Sequence, residues 1–368
     1  MSKRSEHPTE PEQSGTLILK RQRGETPPQT QIAISSGRDE KSQGLIRTVQ
    51  RTSNLEAPII SLSGAHTGEI LSCRFDPSGQ NIAAVSSDRS LSLWKTYPPN
   101  NNYGHITALH KAPIIDLQWS LTSSNIYTVS ADKSLSFTDV TTGERVRKIR
   151  GAHSGMINSL DRVLAGGTEL LASGGDDNYV RLWDAEGTKD AVAEWNVGAP
   201  VTSVCWSADG AQVYVGAVDN AIHVYDVRKQ EEVITLRGHT DTPSSLSLSP
   251  SGTHILSPSF SSTTIIWDIR PFSPSPDRVH RVLQGAPAGF ENILVKGAWS
   301  REDGGKRVAV GGADRTVTIW DVDSGRVLYK LPGHKGTVTA VDFHPKEPIV
   351  LTGSTDSTML LGELERTS

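Results

Sequence analysis

The chain has 368 residues, with 37 Lys plus Arg, 41 Asp plus Glu and a formal net charge of −4 at pH 7. That is too long for one ordinary core of ~100–150 residues, which leaves two domains, a barrel or a repeat array. Two cysteines, Cys73 and Cys205, exclude a disulfide scaffold or a Cys-rich zinc domain, and the slightly acidic balance argues against a whole-surface nucleic-acid binder.

The N-terminal segment is expected to lie outside the folded domain. Residues 1–53 hold nine Lys or Arg and six Asp or Glu, a local net of +3, so the other 315 residues carry −7. The segment has Pro8, Pro11, Pro27 and Pro28 and no aromatic residue, so it reads as a disordered basic tail. Its opening, Met1-Ser2-Lys3-Arg4, has no apolar stretch behind it, which predicts no signal peptide and an intracellular protein. No apolar run reaches ~18 residues, so no membrane span is expected. One island breaks the pattern: Leu17, Ile18, Leu19, Lys20, Arg21, Gln22, Arg23. Three readings stay open: a chance apolar triplet beside solvated charges, a nuclear-import patch, or a linear motif that docks on a partner.

From residue 58 onward one block recurs seven times. Each copy has an apolar strand, a turn often containing Gly-His, an alternating strand, a second turn, a Val/Ala/Ser-rich strand, a tight turn with Asp, and a strand ending near Trp-Asp. The end position is filled in chain order by Trp94, Thr138, Trp183, Tyr225, Trp267, Trp320 and Gly362, at steps of 44, 45, 42, 42, 53 and 42 residues. Six residues before it stand Asp88, Asp132, Asp177, Asp219, Ser261, Asp314 and Asp356. A short acid there can accept backbone N–H bonds inside a tight turn. An outermost strand follows each Trp-Asp, for example Val233–Leu236 and Val327–Lys330. The last copy stops at Gly362-Glu363-Leu364 and lacks that strand, whereas Pro58–Leu62 is an unmatched one at the start. Pairing first with last would remove an open edge.

A period of 40–45 residues with four short strands and a Gly-His…Trp-Asp signature resembles the WD repeat of β-propellers. The resemblance predicts an all-β, seven-bladed WD-repeat propeller over residues 54–368, closed by the N-terminal strand. It also implies a buried hydrogen-bond chain of His, Ser or Thr, Asp and Trp in each blade. The whole set appears once, as His153, Ser173, Asp177 and Trp183. Repeat one keeps His66, Asp88 and Trp94 but has Ala84; repeat two has Thr138 for Trp. Repeat four has Val197, Val215 and Tyr225, and repeat five has Ser261 for Asp. Repeat six lacks the His and repeat seven ends in Gly362. In this family the residue before the turn Asp lies near the rim of the central opening. In repeat five that residue is Phe260, which reads either as an exposed anchor for a partner or as a ring folded inward to fill the space left by the missing Asp.

Site chemistry is sparse. Ala165-Gly166-Gly167-Thr168 lacks the Lys of a phosphate loop, and neither HExxH nor CxxC occurs. Cys73 and Cys205 read as buried structural thiols. The recurring His and Asp residues read as structural, so no catalytic residue, cofactor or metal is expected and an enzyme is the weakest reading.

Several segments are more particular than the repeat: Leu55–Gly64, Trp267–Pro274, Phe290–Leu294, Gly325–His334, Phe343–Ile349 and the ending Gly362-Glu363-Leu364. With Leu17–Arg23 they are similar to the WD-repeat subunits of the U5 small nuclear ribonucleoprotein. That resemblance implies a nuclear, non-catalytic scaffold in pre-mRNA splicing. Its partners would be the large central scaffold protein of the U5 particle and other spliceosomal proteins. No membrane and no homo-oligomer are expected, and direct RNA contact is left open. The rival is a substrate receptor of a cullin-type ubiquitin ligase, whose box Trp267-Asp268-Ile269-Arg270 resembles, echoed by Tyr225-Asp226-Val227-Arg228. Two Ser-Pro sites, Ser273 and Ser275, leave regulation open.

Overall fold

Each repeat predicts four strands, and the computed structural model, which describes residues 31–33, 46–48 and 53–365, contains them. The chain divides into units 1–52 and 53–368. In the first, Gln31–Ala33 pairs antiparallel with Ile46–Thr48. The candidate motif Leu17–Arg23 lies outside the described residues.

The second unit is a seven-bladed β-propeller of four-stranded antiparallel sheets, without a helix among the described residues. From the innermost strand outward, blade one is Ile70–Phe75, Asn81–Ser86, Leu91–Lys95 and Asn102–Ile106. Blades two to six begin at Ile114, Ile157, Val201, Ser247 and Gly297. Blade seven takes Val338–Phe343, Ile349–Ser354 and Met359–Glu363 from the end of the chain and Ile59–Leu62 from its start. Ile59 lies opposite Gly362 and Leu62 opposite Met359, so the ring closes as the unmatched strand predicts. Asn54 fastens this strand further by donating to Glu347 at 2.8 Å.

The strand patterns follow from the stacking of blades. A blade between two neighbours buries both faces, so its inner strands lose the in–out alternation of a half-exposed sheet. Val201–Trp206 is buried throughout, whereas the outermost strand of the same blade, Glu231–Arg237, is mostly exposed. The core is accordingly seven clusters, one at each junction. Blades one and two, for instance, meet through Leu91, Leu93, Leu117 and Trp119. A Cβ at Gly311 would collide with the Val338 carbonyl of blade seven, so that close approach requires glycine.

Side chains stitch the inner strands together. Asp116 of blade two accepts the Leu160 N–H of blade three at 3.1 Å, and Asp161 accepts that of Trp206 at 2.8 Å. Asp342 accepts the Phe75 N–H at 2.9 Å across the closing junction. The turn aspartates have a matching local role. The residue after each, or after Ser261, is left-handed: Arg89, Lys133, Asn178, Asn220, Ser262, Arg315 and Ser357 have φ between 63° and 70°. Each such residue costs about 1 kcal/mol. The carboxylate offsets this by accepting the N–H two residues on, as Asp88 does from Ser90 at 2.9 Å and Asp356 from Thr358 at 3.0 Å.

Candidate functional site

Blade three brings its four predicted residues into one chain. Trp183 Nε1 donates to Ser173 Oγ at 2.8 Å, Ser173 lies 2.7 Å from His153 Nε2, and His153 Nδ1 lies 2.8 Å from Asp177 Oδ1. Arg181 adds a bond to Asp177 Oδ2 at 2.8 Å. Burial alone would raise the Asp177 carboxyl, but the hydrogen bonds from His153 and Arg181 hold it well below the carboxylate range. Burial pushes the His153 imidazole down, against the pull of Asp177. The order Asp–His–Ser is that of a hydrolytic triad, yet Ser173 is wholly buried and already binds Trp183. No substrate can reach it, so the arrangement holds the blade rather than a reacting group.

The other blades vary this chain. Ala84 removes the expected hydroxyl from blade one, but Ser92, directly opposite it on the next strand, supplies one. Ser92 Oγ receives Trp94 Nε1 at 2.9 Å and lies 2.7 Å from His66 Nε2. Blade one is therefore complete, a correction to the reading of one complete copy. In blade two His110 meets Thr128 at 2.9 Å and Asp132 at 3.1 Å, with no Trp beyond. Blade four uses His223, on its third strand, between Asp219 at 3.1 Å and Glu232 at 2.9 Å. In blade five His239 lies 2.5 Å from Ser257, but His239 Nδ1 and Trp267 Nε1 have no hydrogen-bond partner. With no carboxylate at position 261, burial pushes His239 down to about 4. Blade six has no such chain: Trp320 Nε1 donates to the Gln284 carbonyl at 3.0 Å and Asp314 pairs with Lys330 at 2.8 Å. At the other end of its strands a buried Arg307 pairs with Glu302 and, at 3.0 Å, with Asp303.

The central opening is polar and charged. Lys296 of blade six crosses it to the Asp116 carboxylate and donates to the Ile115 carbonyl at 3.2 Å. Arg74, Asp161 and Arg301 line the same cavity, of about 270 Å³. Sequence reading missed this cluster, because its members come from different blades and share no motif.

The remaining candidates are scattered. Phe260 is half-buried and lines a crevice against Ala286, Pro287 and Ile293 of the link between blades five and six. Two other aromatics are fully open: Phe290 on that link, and Phe272 in the blade-five hairpin that joins Asp268 to Val279. In that hairpin Arg270 forms a two-point pair with Asp268 at 2.9 and 2.6 Å, and Ser273 donates to Asp268 at 3.1 Å. Ser275 donates to Asp277 at 2.5 Å. Burial pushes the thiols of Cys73 and Cys205 up, so both stay protonated. Among the described residues there is no group of three or more His, Cys, Asp or Glu that could hold a metal, and no helix long and apolar enough to cross a membrane.

Comparison with known proteins agrees with this architecture. The WD domain, G-beta repeat family matches residues 57–95, 143–184, 195–226, 230–268 and 325–361. The inner strands of blades two and six are missing from these matches. The chain is 40% identical over 316 residues to the pre-mRNA-splicing factor cwf17 of Schizosaccharomyces pombe, which covers 86% of this chain and 90% of that protein. It is 40% identical over 336 residues to the U5 small nuclear ribonucleoprotein 40 kDa protein of Dictyostelium discoideum, covering 91% of each. The human protein of that name is 36% identical over 315 residues, covering 86% of each. The chain belongs to the WD40 β-propeller family, within the group that holds the U5 small nuclear ribonucleoprotein 40 kDa proteins.

Proposed function

We propose that the chain is a non-catalytic scaffold of a U5 small nuclear ribonucleoprotein, acting in nuclear pre-mRNA splicing. The observation that carries this is identity of 36–40% to splicing proteins over 86–91% of the chain. The geometry is compatible: buried His–Asp sets stiffen the blades, and the loops of a stiff ring carry binding residues. Its partners would be the large central scaffold protein of the particle and other spliceosomal proteins. Phe260 and the segment Leu17, Ile18, Leu19, Lys20, Arg21 and Arg23 are the proposed contacts. A basic-apolar segment can bury its aliphatics in a groove while its cations meet acids at the rim. The cullin reading is less favoured, because Arg270 is committed to Asp268.

Affinity purification from cells, followed by mass spectrometry and small nuclear RNA detection, tests the proposal. U5 RNA and U5 proteins should be recovered, with less retention for L17S/I18S/L19S and F260A chains. Recovery of a cullin adaptor without U5 components would replace it with the rival.

A further inference from the structure

The outermost strand of blade two is Arg145–Ile149, and Arg150 follows it. Arg145, Arg147, Lys148 and Arg150 join Lys189 of blade three and Val146 to line a surface groove of about 580 Å³. No carboxylate lines it, although residues 54–368 carry a net −7. Glu144, Glu186 and Asp190 stand exposed in the flanking turns. Two of the cations are committed. Lys148 pairs with Asp132 at 2.9 Å. Arg147 lies 3.7 Å over the Phe137 ring and donates to the Asp184 and Ala185 carbonyls at 2.9 Å, which fixes the blade-three turn against blade two. Arg145, Arg150 and Lys189 are exposed and have no ion pair among the described residues.

We propose that this groove binds RNA through its phosphodiester backbone, without sequence preference. Five cations with no lining carboxylate attract a polyanion, and guanidinium forks match phosphate oxygens at two points. A protein interface would need an apolar centre, and Val146 is the sole apolar residue of the lining. No aromatic lines the groove, so bases have nothing to stack on and the contact falls to the phosphates. The inference rests on charge and shape and stands whether or not the chain belongs to a U5 particle.

The test uses the full chain and a fluorescein-labelled oligouridine of about 20 nucleotides, read by anisotropy across a salt series. R145E/R150E/K189E should weaken binding at least ~10-fold and lower the slope of log K against log salt by about 2, with an unchanged melting temperature. R145Q/R150Q/K189Q should fall between it and the wild type, and K20E/R21E/R23E should keep most of the affinity. Unchanged binding by both groove variants, or loss in the tail variant alone, overturns the proposal. So does a polyglutamate peptide that displaces the RNA and binds the groove more tightly, which would assign it to an acidic protein segment.

Discussion

Lys296 of blade six and Asp116 of blade two form an ion pair across the central opening, between blades that are not neighbours. Asp116 also accepts from Ser72 at 3.0 Å and from the Leu117 N–H at 2.8 Å, so one carboxylate serves blades one, two, three and six. Burial alone would raise its pKa; Lys296 and Arg74 reverse that and leave it depressed. Breaking one partner of a buried pair typically costs ~3–5 kcal/mol. Asp116→Ala should therefore lower the unfolding free energy read from urea denaturation by that order, and with it the midpoint, and Lys296→Met, which keeps bulk, by less. A D116A midpoint equal to the wild type would show that the pair holds nothing.

Blade five offers a stabilising change. Ser261→Asp restores the carboxylate that the other blades place near the turn, and gives the orphaned His239 Nδ1 a partner. A rise in melting temperature corresponding to ~1 kcal/mol is expected. The pH dependence has a definite sign. His239 is near 4 when folded and about 6.5 when unfolded, so the unfolded chain takes up its proton first. Its stability contribution, about 3 kcal/mol, is whole above pH ~6.5 and is lost as pH falls toward 4. S261D should flatten that part of the acid loss. A lower melting temperature, or an unmoved His239 titration by NMR, counts against the assignment.

How far these features could be read from the sequence depends on what each requires. The Trp and Asp columns are local, so the blades, their order and the closing strand Ile59–Leu62 were legible. Ser92 was not: it replaces the missing hydroxyl of Ala84 from a neighbouring strand, which only the pairing register reveals. Lys296 and Asp116 lie 180 residues apart and meet because the ring curves. Phe260 was placed by analogy, and the long link after residue 284, with no counterpart in other repeats, covers it.

Ser92 makes a separate prediction. Ser92→Ala should leave His66 Nε2 and Trp94 Nε1 unpaired at a cost of ~1–3 kcal/mol. Adding Ala84→Ser should recover part of it, because the two positions are directly opposed. In blade three, Trp183→Ala should cost ~3–5 kcal/mol and His153→Ala ~1–3 kcal/mol. Denaturant midpoints for the set decide; if S92A equals the wild type, the substitute hydroxyl carries no load.

Closure can be tested by truncation. A chain lacking residues 1–63 loses the strand that pairs with Met359–Glu363 and exposes an edge, so it should aggregate and melt early. A chain lacking residues 1–50 should melt as the full chain does. Equal melting of the two truncations would mean that blade seven does not need its fourth strand.

The central claim, a non-catalytic platform in splicing, is tested most directly by depleting the chain from its own cells and measuring unspliced pre-mRNA. Depletion should raise unspliced transcripts and release proteins from the U5 particle, and re-expression of the intact chain should restore both. The chain lacking residues 1–63 should restore neither. Unchanged splicing and an unchanged U5 particle after complete depletion would contradict the account.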